Sequence, residues 1–225
     1  MSGTILGSEI ISKARRILQD TTTGGTRWLD DELLGWINDA QREIVLIKPN
    51  SNSLVTDADT VQGSKQTLPS GGLTLLAVIR NTAGPSIRRI DRNIMDSENP
   101  NWYEDTESDT TIHYIFDEDN PDTYYVYPPK PATPSTIELS YSGAPQDLVN
   151  TGASIALNDI YANVILDYVL YRAYSKDSDY AGNAQRATNH YTAFNNSLGN
   201  RVQVEQIATP NVDQSGRWDT TRAMR

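Results

Sequence analysis

The stretch that most constrains the fold runs from residue 158 to residue 198. Residues 160–176, IYANVILDYVLYRAYSK, are apolar around most of a helix, which is typical of a buried helix. The segment holds only 17 residues and contains Asp167 and Arg172, so we do not expect it to span a membrane. After the link Asp177-Ser178, the segment from about residue 178 to residue 198 keeps one apolar stripe at helical spacing: Tyr180, Ala184, Ala187, Tyr191, Phe194 and Leu198. The pattern predicts an antiparallel helical hairpin whose first helix other elements must cover.

Two amphipathic segments near the N-terminus would supply that cover. Residues 4–20 place Leu6, Ile10, Ala14 and Ile17 on one face. A second helix is expected to begin at Asp30, a good N-cap residue, and to end before Pro49. With the hairpin, these helices predict a four-helix core made of two N-terminal and two C-terminal helices.

Between the helix pairs, the hydrophobic period changes from helical to strand-like. Short β-rich runs alternate with turn residues over residues 51–150. After Leu198, Gly199 and Asn200 form a helix-stop signal, and residues 201–225 have little apolar content. We therefore predict an α+β fold. The helix pairs occupy residues 1–50 and 151–200, an antiparallel β subdomain is inserted at 51–150, and an extended tail occupies 201–225.

Composition argues against several functional classes. The chain has no Cys and only two His, and its formal net charge is −10, which disfavours wrapping nucleic acid through phosphate neutralisation. No phosphate-binding loop, paired-His metal motif or nucleophile elbow is present. The first residues lack the charge order of a signal peptide, and no apolar run is long enough for a membrane span. We expect no catalytic residues, no cofactor, no metal and no membrane association.

An acidic stretch at residues 94–124 contains no Lys or Arg. We assign it chiefly to a solvated acidic surface; a hard-cation site and a glycosidase-type carboxylate pair are the open alternatives. The surface residues singled out are Glu104, Asp105, Glu107, Asp109, Asp117, Glu118 and Asp119.

Isolated charged residues within apolar helices need partners. Asp167 lies in the most apolar helix, where an unpaired charge is costly, so we expect it to meet an arginine such as Arg15, Arg16 or one on a neighbouring subunit. His113 and His190 are interpreted as ordinary strand and helix residues.

Four segments, 28–41, 125–129, 137–142 and 160–177, resemble the head-to-tail adaptor proteins of tailed bacteriophages, also called head-completion or connector proteins. The order of helix pair, β insertion, helix pair and tail is similar as well, so the resemblance covers most of the chain.

The resemblance implies a structural virion protein rather than an enzyme. Such adaptors form a homo-oligomeric ring, commonly a dodecamer, at the neck of the virion, after synthesis in the host cytoplasm. The ring binds the portal, extends the channel through which double-stranded DNA passes without specific binding during ejection, and presents a surface to a tail or nozzle protein. The resemblance also implies that the C-terminal tail becomes ordered only when it binds the portal. Four of its residues are therefore candidate portal anchors: Arg217, Trp218, Arg222 and Arg225. Five more are candidates for the subunit interface: Trp36, Asp167, Tyr168, Tyr171 and Arg172.

Two alternatives stay open at this point. The acidic, aromatic β subdomain is compatible with a carbohydrate- or receptor-binding tail protein, although such proteins are usually mostly β. A helical scaffold unrelated to phage assembly also fits the helical pattern.

Overall fold

Four of the α-helices pack around one hydrophobic cluster. The computed structural model describes residues 3–23, 25–117, 119–180 and 182–208, and its fold is α+β as predicted. Its α-helices are α1 Gly7–Leu18, α2 Asp30–Ile47, α3 Arg92–Glu98, α4 Ala162–Lys176 and α5 Asn183–Ala208. The cluster takes buried residues from α1, α2, α4 and α5, and α4 contacts each of the other three. The apolar pattern of α4 therefore reflects contact with several neighbouring helices.

The limits of α5 differ from the prediction. The helix begins at Asn183 rather than near residue 178, because Gly182 adopts a left-handed conformation with φ of 85° just before it. It also continues through Gly199 and Asn200 to Ala208, so the predicted end at Leu198 is wrong. A glycine ends a helix when it adopts the left-handed conformation. Gly199 stays helical, at an ordinary cost of about 1 kcal/mol relative to alanine.

Asp30, the predicted N-cap residue of α2, does not cap the helix. Asp30 is the first helical residue, and Leu29 precedes it without any side-chain capping bond. The Asp30 carboxylate instead accepts a hydrogen bond from Arg15, 2.5 Å away.

Two sheets form the inserted part. The strands are β1 Ser53–Asp59, β2 Gly63–Thr67, β3 Gly72–Asn81, β4 Arg88–Arg89, β5 His113–Phe116, β6 Thr123–Lys130 and β7 Thr136–Gly143. The first sheet has the order β1-β7-β3 and the second β2-β6-β5-β4. All pairs are antiparallel except β4 with β5. Strand β4 contributes only two residues to the second sheet.

The sheets share a hydrophobic core and are joined at one edge. Their common cluster includes Val78 and Leu139 of the first sheet and Tyr124 and Val126 of the second. The Ile87 amide donates to the Ile79 carbonyl at 3.1 Å, which links the end of β3 to the segment leading into β4. The strands therefore run in the order β1-β7-β3-β4-β5-β6-β2 around the core, as in a barrel that stays open between β1 and β2.

The chain returning from β7 to α4 fastens the sheets to the helices. Asn38 of α2 exchanges two hydrogen bonds with the backbone of Leu148. Gln41 accepts from the amides of Ala156 and Leu157. Across the described ranges, we find no helix with the length and apolar content needed to cross a membrane.

Candidate assembly surfaces

The acidic stretch is anchored by a buried tryptophan. Trp102 is fully buried, packs edge-on against Tyr125 at 6.0 Å, and donates from its indole nitrogen to Asp96 at 2.8 Å. The sequence patterns did not predict helix α3, which precedes Trp102. Its signal was Asp91, whose side chain caps the helix by accepting from the Asn93 amide at 2.8 Å. This part of the acidic stretch is therefore an ordered surface with its own small core.

Asp105 is held in its ionised form by hydrogen bonds. Its carboxylate accepts from the Tyr127 hydroxyl at 2.9 Å, from the Thr106 amide at 3.0 Å and from the Asn99 side chain at 3.0 Å. The Tyr127 bond is the main cause of the lowered pKa of Asp105, and the same bond raises the pKa of Tyr127. A carboxyl with a lowered pKa is poorly suited to act as a general acid.

The remaining acidic residues do not converge. Glu104, Glu107, Asp109 and Asp119 are exposed and Asp117 is half-buried, whereas Glu118 lies outside the described residues. In the described part of the chain, no three His, Asp or Glu side chains are placed to hold a metal ion. The arrangement favours a solvated acidic surface.

One basic side chain is buried beside this surface. Lys130 of β6 is fully buried, and its ammonium donates to the backbone carbonyl of Asp109 at 2.6 Å. Burial lowers the pKa of Lys130, and the nearby Asp109 charge partly offsets the effect. Lys130 therefore fastens the middle of the acidic stretch to β6.

Asp167 pairs with a histidine, so the predicted arginine partner within this chain is wrong. The Nδ1 atom of His190 lies 3.0 Å from an Asp167 carboxylate oxygen, and the His190 ring stacks on Tyr174 at 5.7 Å. Arg15 instead contacts Asp20 and Asp30. The partner was missed because it lies 23 residues away on α5, and only the crossing of α4 and α5 brings it close.

Replacing Asp167 with alanine is expected to lower the free energy of unfolding by only about 0.5 kcal/mol, because both partners keep about a quarter of their side-chain surface in water. Urea unfolding would measure this change. Asp179→Ala, an exposed acidic site, is the matched control. A loss of about 3 kcal/mol, as for breaking a buried ion pair, would contradict the expectation.

The candidate subunit-interface aromatics also pack within the chain. Tyr168 lies 5.2 Å from Phe194 and Tyr171 lies 4.8 Å from Tyr191, ring centre to ring centre. Trp36 is half-buried beside the helical cluster, whereas Arg172 is exposed. Their role between subunits stays a prediction. The candidate portal anchors Arg217, Trp218, Arg222 and Arg225 lie outside the described residues.

Comparison with known families gives a match over nearly the whole chain. A family model described as SU10 adaptor protein matches residues 7–220. A search of curated proteins found no relative. The match includes the segments 28–41, 125–129, 137–142 and 160–177, which carry the resemblance in the sequence.

Proposed function

The chain belongs to the SU10 adaptor protein family of phage head-to-tail adaptors, and on that premise we propose that it forms a ring beneath the portal at the neck of the virion. The observation that carries this proposal is the family match, which extends from the first helix past α5 into the C-terminal segment. In the proposed ring, commonly of twelve copies, a four-helix core of α1, α2, α4 and α5 is the rigid body of each subunit. The function is structural, without catalysis.

The net charge of the chain supports a role in conducting DNA. A formal charge of −10 repels phosphate weakly over the surface of the ring and prevents DNA from sticking during ejection. The same charge disfavours a protein that binds DNA tightly by neutralising its phosphates. The ring extends the portal channel, and its far side offers the surface for a tail or nozzle protein.

The C-terminal segment is the proposed portal anchor. Residues 209–225 contain three arginines, two aspartates and one tryptophan, so their formal charge is +1 in a chain that is otherwise strongly acidic. Arginine and tryptophan are enriched among the residues that dominate interface energetics. The segment follows α5 directly in the sequence.

Deleting residues 209–225 is expected to leave a folded subunit that no longer joins the portal. The measurement is negative-stain electron microscopy and sedimentation of the truncated protein mixed with portal, with circular dichroism to check the fold. Trp218→Ala is the milder variant. We expect it to weaken portal binding by about 30-fold, as for a hot-spot residue worth about 2 kcal/mol.

The matched control replaces residues 209–225 with a scrambled sequence of the same composition. It separates the order of the anchor residues from the length and charge of the segment. Rings of the truncated protein on portal, at the frequency of the full chain, would overturn the assignment of the anchor. Failure of the full chain itself to form rings with portal would overturn the proposed function.

A further inference from the structure

Strand β1 is an open sheet edge. It pairs with β7 in regular register over Ser53–Asp59, and no backbone hydrogen bond of the described residues joins β1 to anything beyond β7. Every second residue of such an edge directs its amide and carbonyl groups away from the sheet. Val55 on this strand is 58% exposed. A regular edge that lacks proline and bulges is a template for another strand.

The opposite edge of the same sheet is protected. Strand β3 pairs with β7 through three register shifts, and bulges of this kind disrupt an edge for further pairing. Other segments also cover it: the Leu75 amide donates to the Pro121 carbonyl at 2.9 Å, and the Ile79 carbonyl accepts from Ile87. The contrast makes β1 the accessible edge of the first sheet.

A cleft lies between β1 and β2, the two strands at the opening of the barrel. Its volume is about 360 Å³. Ala58 and Leu68, which pack against the core shared by the two sheets, and buried Tyr141 of that core line the cleft. Its charged lining residues are both carboxylates, Asp57 and Asp59, and both are exposed.

A buried glutamine fixes the loop at one end of this cleft. Gln66 is 2% exposed, accepts from the Val61 amide at 2.8 Å, and donates to the Val61 and Gly63 carbonyls at 2.8 and 3.1 Å. It fixes the connection between β1 and β2, although the two strands belong to different sheets and are not paired with each other. The cleft therefore has a fixed floor and one fixed end, which limits the ordering needed when a strand binds.

We propose that this cleft accepts an extended, basic segment of a partner protein, which adds to β1 as a further strand. Backbone groups of β1 would supply the affinity, and an aliphatic side chain of the partner would enter the space over Ala58 and Leu68. A basic residue of the partner would lie beside Asp57 and Asp59. Nucleic acid does not suit the site, because the carboxylates repel phosphate.

The occupant is assigned to the partner on the tail side, and this assignment rests on the proposed function. In the proposed ring, the C-terminal segment 209–225 binds the portal. The tail or nozzle protein must therefore bind a different surface of the adaptor. The assigned occupant is thus a strand-forming segment of that protein with an aliphatic centre and basic flanks.

The probe is the synthetic peptide Lys-Val-Thr-Val-Thr-Val-Lys, added to the full-length protein and followed by amide NMR shifts and hydrogen exchange. We expect new protection along β1, including Val55. The same peptide with glutamate at both ends, and one with a central proline, are expected not to bind. Asp59→Lys should weaken binding about tenfold, since it places like charges together, whereas Asp119→Lys, an exposed acidic site outside the cleft lining, should leave binding unchanged.

Several outcomes would overturn the proposal. These are equal binding of the glutamate-ended peptide, protection away from β1, or equal effects of Asp59→Lys and Asp119→Lys. Protection of β1 that rises with protein concentration in the absence of peptide would assign the edge to a second copy of the chain and overturn the assigned occupant.

Phage particles that carry the Asp59→Lys variant distinguish a failure of this inference from a failure of the proposed function. With Asp59→Lys, we expect adaptor rings on portals but a smaller fraction of heads with tails than in particles of the unchanged protein. Normal tails on such particles would contradict the cleft as the tail site, whereas missing rings with the unchanged protein would contradict the ring itself.

Discussion

Replacing Phe194 with alanine is expected to lower the free energy of unfolding by about 3–5 kcal/mol. The side chain is fully buried on α5, and its ring lies 5.2 Å from Tyr168 and 6.3 Å from Tyr191. The substitution removes the apolar contacts and leaves a cavity between α4 and α5, which surrounding side chains fill only in part. Urea denaturation followed by circular dichroism would measure the loss.

Two variants sharpen this test. Phe194→Leu keeps most of the volume and should cost less than about 1.5 kcal/mol. Asn195→Ala changes the neighbouring exposed position and should stay within about 0.5 kcal/mol of the unchanged protein. If Phe194→Ala costs no more than Asn195→Ala, then α5 does not depend on this contact for its packing.

Helical periodicity predicted α1, α2, α4 and α5, because burial repeats at helical spacing along a single segment. Phe194 and Leu198 belong to the predicted stripe and are buried, as is Ala187. The same stripe failed at three positions. Tyr180 precedes α5 and is 74% exposed, and Ala184 and Tyr191 are exposed within the helix. The helix end failed because Gly199 does not adopt the conformation through which glycine ends helices.

Pairing between distant segments was beyond the sequence patterns. Strand runs were identified, but β1 pairs with β7, about 80 residues away, and no local signal specifies such a partner. The contact between Asp167 and His190 depends likewise on how α4 crosses α5. The open edge of β1 follows from that strand order, so it could not be predicted from the sequence.

The assembly surfaces were only partly accessible to sequence reasoning. The acidic composition of 94–124 was visible in the sequence, but its anchoring by Trp102 required the fold. The lowered pKa of Asp105 could not be predicted from the sequence either, because its main cause is the hydrogen bond from Tyr127 on β6. Composition reveals charge, whereas hydrogen-bond partners decide whether a carboxylate has a structural role.

Replacing Asp20 with asparagine is expected to lower the free energy of unfolding by about 3 kcal/mol near neutral pH, as for breaking a buried charge network. Asp20 is 7% exposed and accepts from the amides of Thr26, Arg27 and Trp28 at 3.0, 3.2 and 3.3 Å. Arg15, 8% exposed, donates to the same carboxylate at 3.3 Å. An asparagine has one acceptor oxygen instead of two and would turn donor hydrogens toward other donors.

The loss of stability should extend to α4, because Asp20 holds the loop between α1 and α2 in place. The Trp28 indole donates to the Ala173 carbonyl at 3.3 Å, so the loop ties α1 and α2 to the central helix. Urea unfolding at pH 7 measures the change. Asp31→Asn is the matched control, since Asp31 is exposed and accepts only from the next amide, and it should cost less than about 0.5 kcal/mol.

The pH dependence separates the charge of Asp20 from its shape. Burial opposes ionisation, but the hydrogen bonds from Thr26, Trp28 and Arg27 outweigh it, so the pKa of Asp20 lies below its usual value. The unfolded state, with a carboxyl pKa near about 3.9, therefore takes up the proton first as the pH falls. The stabilisation is fully present above that value and is lost as the pH falls through the folded pKa. The difference in unfolding free energy between the unchanged protein and Asp20→Asn should shrink below about pH 4, and a difference that stays constant down to pH 2 would show that the carboxylate charge does not hold this loop.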